Sequence, residues 1–117
     1  MATVVRLGPL PLGRRREHRL GELRRIFAAD VELVEVFDIA AMAAAIGTHG
    51  VVALAVDATG PGELADALAA AGQLPVLRPL WREQRSSRGE IDRLFDGYGL
   101  LTATGITELA DGSLSTR

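Results

Sequence analysis

Hydrophobic positions in this chain fall into short runs separated by stretches with helical spacing. Val4-Val5-Arg6-Leu7 reads as a first strand, ended by Gly8-Pro9-Leu10-Pro11-Leu12-Gly13, because two prolines cannot donate to a ladder. Residues 14–29 place Leu20, Leu23 and Phe27 on one stripe opposite the arginines, the mark of an amphipathic helix. Val31 to Phe37 is rich in β-branched residues and reads as a strand, with Asp38 as N-cap of a helix carrying Ile39, Met42 and Ile46 and stopping at Gly47. Val51-Val52-Ala53-Leu54-Ala55-Val56 is apolar throughout and suits a strand covered on both faces. After the turn-rich Asp57-Ala58-Thr59-Gly60-Pro61-Gly62, residues Glu63 to Ala71 have helical spacing, with Gly72 as the stop.

Leu74 to Trp81 is strand-like, although Pro75 and Pro79 push it toward a sheet edge. Residues 86–96 leave two readings open. Ile91, Leu94 and Phe95 fit a helix, while Ser86–Gly89 equally fits the turn of a hairpin. Tyr98–Leu101 and Ile106–Leu109 add a terminal strand pair, and residues 112–117 are expected to fray. The resulting order predicts one α/β domain over residues 1–117: a three-layer, Rossmann-like fold with a mainly parallel sheet. Ligands in such sheets sit beyond the carboxyl ends of the strands, which singles out the Gly8–Gly13 loop, Asp38 and the Asp57–Glu63 loop.

Composition narrows the chemistry. The chain has 117 residues, is 48% hydrophobic and contains no cysteine, so disulfides, thiol catalysis and thiolate metal sites are excluded. Two histidines cannot build an ordinary histidine-rich zinc site, and neither a metal nor a cofactor is expected. No apolar run approaches the length of a membrane span, so a cytoplasmic protein that binds no membrane is expected. All basic residues are arginine, and they are unevenly placed: residues 1–27 carry seven against two acids, whereas residues 28–77 carry seven acids and no arginine. The formal net charge of −2 argues against duplex nucleic acid as a partner.

Two places combine suitable residue types. Gly8 and Gly13 flank the first loop, followed by Arg14, Arg15 and Arg16 at a helix start, where backbone N–H groups and guanidinium forks suit a phosphate. The same pattern also describes a plain strand-to-helix turn with a solvated basic face. Asp57 ends the central strand and Glu63 opens the next helix; two carboxylates bordering one cleft can divide acid and nucleophile roles. Both positions are equally ordinary capping choices. His49 and His18 read as structural and surface residues, and Trp81 and Tyr98 as core or interface residues.

Val5-Arg6-Leu7-Gly8-Pro9-Leu10, Asp38 before a helix, Val51-Val52-Ala53, Gly60-Pro61-Gly62-Glu63-Leu64, Ala67 and Pro75-Val76 together resemble the nucleoside 2-deoxyribosyltransferase superfamily. Its deoxynucleoside 5′-monophosphate N-glycosidase branch is the closer match, over roughly residues 3–80. The resemblance implies a Rossmann-like fold, Glu63 as nucleophile at the anomeric carbon and Asp57 protonating or orienting the base. Gly8 with Arg14, Arg15 and Arg16 would hold the monophosphate of a small nucleotide-like ligand, in a homodimer or with a protein partner. The chain departs from the pattern at Arg6, where the family usually has an aromatic, and beyond residue 82. Asp57 followed by Pro61-Gly62 is also similar to a response-regulator receiver domain. The acidic pair after the first strand and the lysine are missing, which leaves a catalytically silent regulatory module acting through ligand or protein binding as the alternative.

Overall fold

The computed structural model describes residues 2–8, 15–28, 30–48, 50–57 and 61–114. Six strands and three helices alternate at first and then do not: β1 (Ala2–Leu7), α1 (Arg15–Ile26), β2 (Val31–Val36), α2 (Ile39–Thr48), β3 (Val51–Val56), α3 (Pro61–Ala71), β4 (Val76–Arg85), β5 (Ile91–Thr102) and β6 (Gly105–Glu108). They form one sheet in the order β2-β1-β3-β4-β5-β6. The first four strands are parallel, and β5 and β6 run antiparallel to their neighbours.

This corrects the expected Rossmann-like, mainly parallel architecture. After β4 the chain makes no further crossover; it turns at Ser86–Glu90 and returns alongside itself, so the sheet is mixed and curls into a half-barrel. The hairpin reading of residues 86–96 is the one that forms. Ile91 and Leu94, which suggested a helix face, are exposed strand residues. Their three- and four-residue spacing is a coincidence of strands long enough to carry apolar residues on both faces. Nor is β4 an edge: it lies between β3 and β5, with Pro75 before the strand and Pro79 beside a break in the ladder.

Period-two alternation sorts the core into two clusters. On one face Ala2, Val4, Val31, Leu33, Ala53, Ala55 and Leu77 receive Leu23, Ile26 and Phe27 of α1. On the other, Val5, Leu7, Leu54, Val56 and Val76 receive Met42 and Ala45 of α2 and Ala67 and Ala71 of α3. Small residues let α2 and α3 lie close to the sheet. Asp38 caps α2, its Oδ1 accepting the Ala41 N–H at 2.7 Å.

The segment expected to fray is described as far as Leu114, and that part is hydrogen-bonded. Gly112 N and Leu114 N donate to Arg25 O and Ile26 O, satisfying carbonyls at the end of α1. Beyond the body, the far halves of β4 and β5 project as a two-stranded arm whose residues 81–94, apart from the half-buried Ser86, are exposed. The arm accounts for principal dimensions of 48 × 32 × 31 Å. Among the described residues, no helix is long and apolar enough to cross a membrane.

Candidate functional site

The first three strands share a pattern on the face covered by α1. Each carries two apolar or small residues and then a charge: Ala2, Val4, Arg6 on β1; Val31, Leu33, Glu35 on β2; Ala53, Ala55, Asp57 on and just beyond β3. Because Arg6 pairs with Glu35 across the β1–β2 ladder, and Asp57 N donates to Leu7 O, these charges line up at the carboxyl end of the sheet. The row reads carboxylate, guanidinium, carboxylate.

Arg6 is fully buried. Its Nε donates to Asp57 Oδ2 at 2.9 Å and its Nη1 to Glu35 Oε1 at 3.3 Å. From α1, Arg19 lies one turn before Leu23 on the buried stripe and brings its Nε to 2.8 Å from Asp57 Oδ2. That contact is an ion pair whose N–H is not directed at the oxygen. Arg16, half exposed, sits 3.4 Å from Glu35 Oε2. The expectation that the helix turns its arginines away from its apolar stripe therefore fails at Arg19, where a strand-end carboxylate stands within reach to pair it.

Tyr98 completes the cluster from two strands away. Its hydroxyl donates to Asp57 at 2.8 and 3.0 Å, over Pro79, its ladder partner on β4. A bulge makes this possible. Trp81 pairs with Phe95 and Pro79 with Tyr98, so Asp96 and Gly97 together oppose Leu80. The extra residue brings Phe95 and Tyr98, three apart, onto the same face with ring centroids 5.2 Å apart. Gly97 takes φ 95° there, a conformation that favours glycine; a Cβ would fall 2.7 Å from Glu22 Oε2, the tip of a side chain able to swing aside. Phe95 also meets His18 edge-on at 5.1 Å, Trp81 at 6.1 Å and the Arg19 guanidinium at 5.7 Å.

The electrostatics follow from this packing. Burial disfavours the Arg6 charge, but the hydrogen bond and charge of Asp57, with smaller help from Tyr98 and Glu35, hold its pKa above the ordinary value. Burial raises the Tyr98 hydroxyl well above its ordinary 10.0, and the Asp57 carboxylate pushes it further in the same direction.

Of the residues singled out from sequence, Asp57 lies at the heart of this cluster and Gly8 beside it. A Cβ on Gly8 would stand 3.0 Å from Arg6 Nη2 and 3.0 Å from Asp57 Cβ, so the exit of β1 admits no side chain without a shift. Arg16 reaches the rim of the cluster through Glu35. Asp38 is an exposed helix cap. Glu63 is exposed in the first turn of α3, a helix on the opposite face of the sheet from the Asp57 carboxylate. Among the described residues no hydrogen bond or ion pair joins Glu63 to Asp57. Gly13, Arg14 and His49 lie outside the described residues; Arg15 opens α1, its side chain not described.

Arg6, Arg19, Glu35 and Tyr98 were not recognised as site residues from the sequence. The first three carry a readable signal, a charge at the end of an otherwise apolar alternation or on an apolar helix stripe. Among the described residues no group of His, Asp and Glu is placed to hold a metal ion. In comparison with known proteins, no family model, no curated protein and no solved structure matches this chain.

Proposed function

We propose that this chain is a ligand-binding α/β module that works without covalent turnover, with its binding end at the carboxyl ends of β1 and β3. The observation that carries this reading is the occupation of Asp57. Its Oδ1 accepts from Tyr98, and its Oδ2 is shared by Tyr98, Arg6 and Arg19. A general acid or base must exchange a proton with the substrate, which requires a free lone pair within reach of it. The Asp57 carboxylate is instead buried, at 5% exposure, and its contacts tie α1 and β5 to β1 and β3. Glu63, the nucleophile that the deoxyribosyltransferase resemblance implies, stands on the other side of the sheet and has no assisting partner among the described residues. A buried scaffold of charges at the carboxyl ends of β1 and β3 suits recognition of a polar ligand, with the nucleotide-like class as the first to try.

The reading is tested by free-base release from deoxynucleosides and deoxynucleoside 5′-monophosphates, with the wild-type protein beside Glu63→Ala. No release by either protein is expected. Release that disappears in Glu63→Ala would overturn the reading and restore the glycosidase mechanism.

A further inference from the structure

Arg6 uses only part of its donor capacity. A guanidinium carries five N–H groups. Nε and Nη1 are directed at carboxylates, but Nη2 is buried and has no acceptor among the described residues. The side chain around it is fully shielded from solvent. An unsatisfied charged donor in such a place is costly, and native structures resolve it with a water or an ion.

Three features of the surroundings favour the ion. Among the described residues the ion pairs of the cluster are unbalanced: Arg6, Arg16 and Arg19 face Glu35 and Asp57, leaving one positive charge over, since Tyr98 stays protonated. The first two turns of α1 carry Arg16 and Arg19 onto the cluster, so this twelve-residue helix begins there and its positive end adds to the excess. Arg19 Nε, held beside Asp57 without a directed hydrogen bond, is a second buried donor lacking an acceptor.

We infer that Arg6 Nη2 is one wall of a site for a small oxyanion, a phosphate group or a carboxylate, at the carboxyl end of β1 on the side that faces Arg16 and Arg19 of α1. The anion supplies the missing acceptor and the missing negative charge together. Arg16, half exposed, is the outermost cation of the site and the first that an entering anion meets.

This inference rests on the binding reading above, and the two fail separately. Base release dependent on Glu63 would overturn the reading without touching the anion site; a flat anion titration without turnover would overturn the site and leave a module that binds something else. The experiment titrates the full chain with inorganic phosphate and, separately, with acetate, at ionic strength held constant with sodium chloride. It follows the Arg6 guanidinium resonances and the melting temperature. The expected result is a saturable shift of the Arg6 side-chain signals and a melting temperature that rises with the logarithm of anion concentration. The stronger of the two probes identifies the headgroup. Arg6→Lys, which keeps the charge and removes Nη2, is expected to weaken binding at least tenfold. Arg16→Gln, at a half-exposed position, gives a folded variant should the buried substitution prevent folding, and is expected to weaken binding by a smaller factor. Resonances that do not move in wild-type protein, or a temperature rise equal in chloride alone, would show that a buried water completes Arg6 and would overturn the inference.

Discussion

At the carboxyl end of the parallel strands, Arg6, Asp57 and Tyr98 are withdrawn from water and bonded to one another. On the arm made by the far halves of β4 and β5, Trp81, Ile91 and Leu94 remain in water, with 45%, 58% and 36% exposure. Both regions belong to one sheet, and the difference between them is what stands on each face. In the body, helices cover both faces, so polar groups on an inner row are cut off from bulk water and depend on partners inside the cluster. The arm has no layer over either face, and a lone two-stranded ribbon is marginal in water on its own. Cross-strand contacts hold it instead, such as the Trp81 and Phe95 rings and the Arg93 guanidinium 5.2 Å from the Trp81 ring. The boundary between the two regimes is the bulge at Asp96–Gly97, where the alternation of β5 is reset and the aromatic contacts pass from Trp81 through Phe95 to Tyr98.

The largest break in this comparison is expected from Asp57→Asn. It leaves two buried guanidiniums without their shared counter-ion, and removing one partner of a buried pair typically costs about 3–5 kcal/mol. Against the total stability usual for a domain, about 5–15 kcal/mol, that is a large fraction, and the denaturant midpoint should fall accordingly. A much smaller effect is expected from Trp81→Ala. Its ring contacts are half solvated, so the loss in the same denaturation experiment should stay below about 1 kcal/mol. Comparable losses from the two substitutions would mean that the arm is as much a part of the cooperative fold as the charge row.

Much of the body was legible in the sequence because its signals are local. Runs such as Val51–Val56 and the Asp38 cap declare their elements within a few residues. The inner rows ending in Arg6, Glu35 and Asp57 can be read by counting every second position, and Arg19 by counting back one turn from Leu23. The arm and Tyr98 were not legible, for physical reasons. Ile91, Leu94 and Phe95 satisfy a helical period while standing in a strand, and nothing local decides between the two. Tyr98 meets Asp57 across 41 residues of sequence, and only the extra residue at Asp96–Gly97 puts it on the inner face. A strand-by-strand pattern cannot reveal a reset in its own alternation.

The central claim is that Asp57 is a locked structural carboxylate at the centre of a buried cluster, and Tyr98 reports on it directly. It is the chain's sole tyrosine, and there is no lysine or cysteine to titrate beside it. Its pKa in the folded protein lies above the unfolded value of about 10, so near and above that pH the unfolded chain loses the proton that the folded chain keeps. The stability contributed by the neutral hydroxyl is therefore full below pH 10 and is lost as pH rises above it, by up to about 1.4 kcal/mol per unit. The measurement is an alkaline titration of tyrosinate absorbance, with unfolding followed in the same sample. Tyrosinate that appears only together with unfolding is the predicted result. Tyrosinate that forms near pH 10 while the protein stays folded would contradict it, because the hydroxyl would then be wet and Asp57 free.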